Sequence, residues 1–156
     1  MNDDLLQRPN DVKEYKFNLN DLNISQTYFI RSLGYSESNI PGQVAESVHN
    51  IIGYFDKEMN IKCGYKKFDN SAVKIYSSGF SAENQDFNCK KIIGKYLRGS
   101  ESIIFLVASL GDVFERLLNS LESNNDYLEM FLSDKFASEI VEAAADKMEM
   151  IIEEDL

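Results

Sequence analysis

Residues 102–121 read SIIFLVASLGDVFERLLNSL, and this stretch decides the fold class. After Ser102, residues 103–108 form an unbroken apolar run rich in branched side chains, and the segment 102–108 is typical of a central strand covered on both faces. The polar and glycine-containing residues 109–112 end the run. From Val113 to Leu121 the apolar residues recur at helical spacing, so the sequence predicts a buried strand, a sharp turn and an amphipathic helix.

The C-terminal part of the chain predicts one long helix over residues 127–152, following a turn at residues 123–126. We expect a break or bend in this helix near residues 133–134. The helix carries a stripe of apolar residues at three- and four-residue spacing, as one buried face requires: Leu128, Phe131, Leu132, Phe136, Ile140, Val141, Ala144, Met148 and Ile151.

Upstream, helical and alternating patterns follow one another. We expect a short helix over residues 24–33, with Ser25 as a cap and Gly34 at its end. A second helix has its apolar face at Val44, Val48, Ile51, Ile52 and Phe55.

After the second helix the pattern alternates between apolar and polar residues. This predicts a half-buried strand over residues 61–68 and a return strand at residues 73–75. Residues 77–86 are polar and predict a loop, and residues 92–97 predict a short helix closed by Gly99.

Few strands and long helices indicate an α+β fold, in which a small sheet packs against several helices and a long C-terminal helix. We expect residues 1–15 to be a flexible N-terminal arm, with a possible edge strand near Phe17 and Leu19. Residues 16–156 are expected to form a single domain. The 156 residues are enough to bury a core.

Composition excludes several classes of function. The chain has 16 Lys and Arg against 26 Asp and Glu, a net charge of −10, so nucleic acid and anionic membrane surfaces are poor partners. Its longest apolar run is far shorter than the roughly 20 residues of a membrane helix. Cys63 and Cys89 form no Cys-x-x-Cys pattern, and no secretion signal is recognisable, which together favour reduced thiols and a cytoplasmic location.

Motifs for catalysis and metal binding are missing from the sequence. There is one histidine, His49, which falls outside the apolar stripe of its helix and is expected to be an ordinary surface residue. No multi-histidine metal site, phosphate-binding glycine loop or Gly-x-Ser-x-Gly turn is present. We therefore assign no catalytic residue and no metal ligand.

A line of polar residues follows the last helix at spacings of four, four, four and three: Asp134, Ser138, Glu142, Asp146 and Glu149. Such a line is usually a solvated helix face, and like charges at this spacing slightly destabilise a helix. Alternatively, a carboxylate of this line faces a cleft and accepts hydrogen bonds from a ligand ammonium or hydroxyl group.

Three segments, within about residues 25–150, resemble the activation domain family of cobalamin-dependent methionine synthase, whose members bind S-adenosylmethionine. Leu33-Gly34-Tyr35 is similar to a Leu-Gly-Tyr element of that family. Residues 102–111 resemble its apolar strand, which ends in Ala-Thr-hydrophobic-Gly, with Ser109 in the threonine position. Residues 131–146, FLSDKFASEIVEAAAD, resemble its leucine-rich helix.

The resemblance implies a role in methionine biosynthesis. In that family the activation domain presents S-adenosylmethionine as the methyl donor while oxidised cobalamin is reductively repaired. A glutamate in the family's Ala-Glu-Ala helix contacts the nucleoside ligand, and Glu142 matches that position. The resemblance thus makes Glu142 the leading cofactor-binding residue, with Ser138 and Asp146 beside it on the same helix face.

The chain departs from the family in one respect, since no Arg-x-x-x-Gly-Tyr loop follows the long helix. We expect a short standalone relative that is an activation subunit without a complete active site of its own. A partner, the corrinoid-binding methionine synthase chain, would carry cobalamin and supply the missing loop. The alternative is a non-catalytic binding module that docks on a corrinoid protein or forms a homodimer.

Overall fold

The computed structural model describes residues 12–83 and 85–156. In chain order the strands and helices are β1 (Lys13–Phe17), α1 (Gln26–Ser32), α2 (Gly42–Glu58), β2 (Ile61–Asp69), β3 (Val73–Ile75), β4 (Gly79–Ala82), β5 (Gln85–Asn88), α3 (Lys90–Leu97), β6 (Ser102–Ser109), α4 (Asp112–Ser123) and α5 (Tyr127–Asp155). Short 3₁₀ turns occupy Asn20–Leu22 and Asn70–Ala72. The predicted α+β class and long C-terminal helix are confirmed.

The strands form two three-stranded sheets with the orders β1-β2-β6 and β3-β4-β5. The prediction of a central strand at residues 102–108 is wrong, because β2 is in the middle of its sheet and β6 is at an edge. Residues 102–106 of β6 are only half-buried, and Val107 is exposed. A continuous apolar run indicates that the side chains lie in apolar surroundings, and neighbouring aromatic rings can provide these. It does not indicate whether the strand is at the centre or at the edge of its sheet.

The chain forms two compact units. Of the described residues, the first unit contains 12–13 and 64–106, and the second contains 14–63 and 107–156. Strands β2 and β6 each pass from one unit into the other. Residues 1–11 of the expected arm lie outside the described residues, and β1 begins at Lys13, inside the range expected to be flexible.

An antiparallel hairpin corrects the prediction of a loop at residues 77–86. Strands β4 and β5 pair there, with Phe80 opposite Phe87, and the two rings stack with centroids 4.9 Å apart. Phe80 belongs to a small core with Phe68, Val73 and Ala82. The polar composition hid these strands, because one cross-strand aromatic pair supplies the packing that a run of apolar residues usually provides.

Helix α3 packs closely in the first unit at Gly94, which has no side chain. A Cβ on Gly94 would lie 2.9 Å from the carbonyl oxygen of Ser77, so the helix backbone approaches that segment closely. Leu97 contacts the core of the unit. The large apolar residues of the helix point the other way: Ile92, Ile93 and Tyr96 are 72%, 51% and 80% exposed.

We predict opposite effects of alanine at two helical glycines. Gly94→Ala should lower the free energy of unfolding by about 1 kcal/mol, because the crowding of the new methyl group outweighs the better helix propensity of alanine. Gly53→Ala, inside α2, should raise it by about 1 kcal/mol, because a Cβ there meets nothing within 4 Å. Urea unfolding of both variants measures the difference. Stabilisation by both would contradict the close approach of α3.

The core of the second unit is built around α5. Leu132, Phe136, Ile140, Ala144 and Met148 repeat every four residues along it, and all five are buried. The Phe136 ring lies 4.6 Å from that of Phe29 in α1 and 5.3 Å from that of Phe55 in α2, centroid to centroid.

The predicted break in the last helix is absent, since α5 runs continuously from Tyr127 to Asp155. Two members of the predicted apolar stripe also differ. Phe131 is exposed, and Ile152 is buried while Ile151 is only half-buried. A four-residue repeat drifts around a helix of 3.6 residues per turn, so the buried face shifts along a helix of 29 residues.

Local signals at the ends of the helices explain several boundaries. Ser25 caps α1 as predicted, accepting a hydrogen bond from the backbone N–H of Tyr28 at 3.1 Å. Gly34 follows the end of α1 at φ +85°, a conformation that favours glycine. The Asp126 side chain caps α5 through the N–H of Glu129. Within residues 12–83 and 85–156, no helix combines the length and apolar character needed to cross a bilayer.

One buried hydroxyl in α5 predicts a stabilising substitution. The Ser133 side chain is fully buried, and its Oγ atom has no hydrogen-bond partner in the described part of the chain. Because an unsatisfied buried hydroxyl is unfavourable, Ser133→Ala should raise the free energy of unfolding by about 1 kcal/mol. Ser138→Ala is the matched control, since it makes the same change on an exposed face of the same helix. Thermal unfolding should show the larger gain for Ser133→Ala, and an equal or smaller gain would contradict the prediction.

Candidate functional site

The second unit contains an open cavity of about 490 Å³ between α5 and the turn that joins β6 to α4. This is within the range of small-molecule sites, roughly 300–1,000 Å³. The β6–α4 side contributes Ala108, Ser109, Leu110, Gly111 and Phe114. The α5 side contributes Asp134, Ala137, Ser138, Val141 and Glu142.

The β6–α4 turn is shaped by three consecutive residues. The Ser109 Oγ atom accepts a hydrogen bond from the backbone N–H of Gly111 at 3.1 Å. Gly111 has φ +67°, which a side chain would disfavour, and α4 begins directly after it. Leu110 is buried and anchors the turn. The sharp turn read from residues 109–112 is therefore confirmed, and it forms one wall of the cavity.

The cavity lining is negatively charged. Of the described residues that line it, Asp134 and Glu142 are the two ionisable ones, and none is a lysine or an arginine. Within the described residues, neither carboxylate takes part in a hydrogen bond or an ion pair. The Ser138 hydroxyl donates to the backbone carbonyl oxygen of Asp134 at 3.0 Å, so its oxygen keeps lone pairs that can accept from a ligand.

Phe114 adds an aromatic wall on the α4 side. Its ring lies 6.3 Å from that of Phe55, centroid to centroid, so its position is coupled to the core of the unit. Aromatic faces attract cations and stack on planar rings. The cavity thus combines two carboxylates, one available hydroxyl oxygen and one ring, which suits a ligand with a positive charge and a flat apolar part.

A second, smaller cavity of about 230 Å³ lies on the adjoining face of α5. Its lining comes from Leu22, Asn23, Ile24, Tyr28, Glu139, Glu142, Ala143 and Asp146. The Tyr28 hydroxyl donates a hydrogen bond to Glu139 Oε2 at 3.2 Å, and Lys135 Nζ lies 3.7 Å from Glu139 Oε1.

The carboxylates of this smaller cavity act on Tyr28. The pKa of Tyr28 is raised above its ordinary 10.0, first because its hydroxyl donates the hydrogen bond to Glu139, and next because the charge of Glu139 opposes a phenolate. Burial and the charges of Glu142 and Asp146 add smaller contributions in the same direction. The contact stabilises the fold below the pKa of Tyr28 in the unfolded chain, and this is lost as pH rises through the folded-state pKa.

The structure divides the three predicted site residues between the cavities. Ser138 and Glu142 line the larger one, Glu142 and Asp146 line the smaller one, and Glu142 is at their common boundary. Asp134, also in the polar line, faces the larger cavity. The contributions of Phe114 and Tyr28 could not be predicted from the sequence, because the periodicity of their own helices gives no signal for them.

His49 is exposed, as predicted for an ordinary surface residue. Among residues 12–83 and 85–156, no group of three or more His, Cys, Asp and Glu side chains is arranged to hold a metal ion. Cys63 and Cys89 are free thiols, and burial raises the pKa of Cys63.

Comparison of the chain with protein-family models and with curated proteins gave no match. The support for a function therefore comes from the cavities themselves. The larger one has the volume and the mixed lining of a small-ligand site, whereas the smaller one is below the usual size of such sites.

The Tyr28 environment predicts a selective change of pKa. Glu139→Gln should lower the pKa of Tyr28 toward its ordinary value, because it removes the nearest negative charge. Ultraviolet titration of tyrosine ionisation measures this, with the same substitution in a Tyr28→Phe background identifying the signal. Glu149→Gln is the control, since it removes one charge from α5 without involving a residue that acts on Tyr28. Equal shifts in both variants would argue against the Tyr28–Glu139 contact.

Proposed function

We propose that the larger cavity binds S-adenosylmethionine, and that the chain assists reductive reactivation of cobalamin held by a partner, the corrinoid-binding methionine synthase chain. The observation that carries the proposal is the pair of carboxylates, Asp134 and Glu142, which line the cavity and have no hydrogen-bond or ion-pair partner among the residues that the structure describes. The sequence resemblance singles out Glu142 independently of the cavity. A cytoplasmic location is part of this proposal.

The residues of the cavity fit such a ligand. S-adenosylmethionine carries an ammonium and a sulfonium group, and both are complementary to a lining whose described residues include two carboxylates and no basic side chain. Glu142 would accept hydrogen bonds from an ammonium or a ribose hydroxyl, and the Ser138 oxygen would add a further acceptor. Phe114 offers a face to the adenine ring or to the sulfonium charge.

The chain's own contribution in this proposal is binding and orientation. S-adenosylmethionine, when bound, supplies an electrophilic methyl group. Asp134 and Glu142 hold its positive charges, and Asp146 in the adjoining cavity adds to the negative potential. The open cavity leaves access for a partner, so the corrinoid and the remaining ligand contacts are assigned to the partner chain. This is why no residue of this chain is given a catalytic role.

A second candidate, a non-catalytic binding module, is favoured by a different observation. Helix α3 exposes three large apolar residues on the surface of the first unit. Contiguous exposed apolar side chains mark protein interaction sites among other things. In this alternative the chain docks on a corrinoid protein or on a second copy of itself, and it does not bind S-adenosylmethionine.

We predict saturable binding of S-adenosylmethionine by titration calorimetry. Glu142→Gln should weaken it about tenfold or more, because a charge-assisted hydrogen bond contributes about 1.5–3 kcal/mol. S-adenosylhomocysteine, which lacks the sulfonium charge, should bind the wild-type chain more weakly. Glu149→Gln is the matched control on the same helix outside both cavity linings, and it should leave the affinity unchanged.

The outcomes separate the two candidates. No heat at millimolar S-adenosylmethionine, with the isolated chain and with the corrinoid-binding partner present, would refute the nucleoside site and favour the binding module. Equal affinities for the Glu142→Gln and Glu149→Gln variants would show that binding occurs elsewhere on the chain.

A further inference from the structure

Helix α3 has the reverse of the usual arrangement of an amphipathic surface helix. Its buried position is Gly94, while Ile92, Ile93 and Tyr96 are each more than half exposed. The inward face already has its packing, through the close approach of Gly94 to Ser77 and the contact of Leu97 with the core. The three exposed residues are therefore not needed to pack the helix against its own unit.

Positive charge surrounds this apolar surface. Residues 64–106 contain seven Lys and Arg against four Asp and Glu, although the whole chain has a net charge of −10. Lys91 and Lys95 are exposed and are one helical turn apart, beside the apolar residues. No ion pair within the described residues uses either lysine. The α3 surface, defined as Lys91, Ile92, Ile93, Lys95 and Tyr96, is thus apolar with a cationic border.

The same chain carries a surface with complementary features near the end of α5. Glu149 and Glu153 are exposed and also one helical turn apart, and Met150 between them is 58% exposed. Like charges at this spacing destabilise a helix slightly, and nearby lysines would relieve their repulsion. The α5 surface, defined as Glu149, Met150 and Glu153, thus combines an exposed apolar side chain with two carboxylates on one side of it.

We propose that the chain self-associates, with the α3 surface of one copy binding the α5 surface of a second copy. Two lysines and two glutamates with the same spacing allow Lys91 and Lys95 to pair with Glu149 and Glu153 across two helices. Met150 then packs against Ile92 and Tyr96, where its flexible thioether adapts to the shape of the partner. Each copy has one α3 surface and one α5 surface, so dimers and larger assemblies would be held by the same α3–α5 contact.

Charge selects a second copy over other occupants. Nucleic acid or an anionic lipid surface would attract the α3 surface but repel a chain with net charge −10. The α5 surface of another copy supplies anionic and apolar groups together, at the spacing of the α3 lysines. This inference is independent of S-adenosylmethionine binding, because neither surface includes a residue that lines the larger cavity.

Complementary charge reversal tests the proposal. Variant one is Lys91→Glu/Lys95→Glu, and variant two is Glu149→Lys/Glu153→Lys. Lys67→Glu/Lys74→Glu is the matched control, since it reverses two exposed lysines of the same unit away from α3. Sedimentation velocity of each protein, from low micromolar to millimolar concentration and at low and high salt, measures association. Circular dichroism confirms that each variant is folded.

The wild-type chain and the control should associate, more strongly at low salt. Each charge-reversal variant alone should associate on the order of tenfold or more weakly, because like charges then meet across the contact. An equal mixture of the two variants should regain association, since each α3–α5 contact between a copy of one variant and a copy of the other is between opposite charges.

Three results would overturn the proposal. They are a wild-type chain that stays monomeric throughout, an association that the control weakens as much as the variants do, and a mixture that fails to recover. Binding of the wild-type chain to phosphatidylglycerol vesicles without self-association would assign the α3 surface to a lipid instead.

Discussion

The contact of the Phe136 ring with the rings of Phe29 and Phe55 is the constraint on which the second unit depends. Each of these three side chains is fully buried, and they come from α5, α1 and α2. Aromatic pairs at such separations contribute beyond the burial of their area. Because Phe136 is near the start of a 29-residue helix, its contact fixes the rotation of the helix about its axis.

That rotation determines which side chains reach the cavities. With Leu132, Phe136 and Ile140 turned inward, residues at positions 134, 138 and 142 fall on another side of the helix, next to the β6–α4 turn. A helix turns by about 100° per residue, so a rotation of that size would put a neighbouring residue in the place of Glu142. The apolar packing of α5 is therefore also what holds two like-charged carboxylates, Asp134 and Glu142, at one cavity.

Spacing in the sequence predicts which side chains share a face of one helix, but it does not predict which other elements pack against that face. The common face of Ser138, Glu142 and Asp146 could be read from spacing, because helical geometry relates residues of one element. Their division between two cavities could not. It depends on where the β6–α4 turn and Tyr28 lie against α5, which is set by packing between elements far apart in the sequence.

The fold shows the same limit. The long helix α5 and the turn after β6 follow from periodicity and from Gly111, but the break expected near residues 133–134 is absent, because α5 is continuous there. The β4–β5 hairpin was hidden, because its stability comes from the Phe80–Phe87 pair and not from a repeated pattern. The edge position of β6 was hidden too, since the rings of Phe68, Phe80 and Phe87 contact Phe105 and so give an edge strand the apolar composition of a central one.

In helix α3 the residues that pack against the first unit are not its large exposed apolar residues, and composition alone does not reveal this. In most surface helices the large apolar residues hold the helix to the core, so removing them destabilises the fold. Here Gly94 and Leu97 make the inward contacts, and Ile92, Ile93 and Tyr96 face outward. The outward residues therefore bury little area against the chain itself, and the solubility cost of exposing them is not offset by stability. Packing within the chain therefore gives no reason for their exposure, whereas the proposed contact with a second copy would cover them.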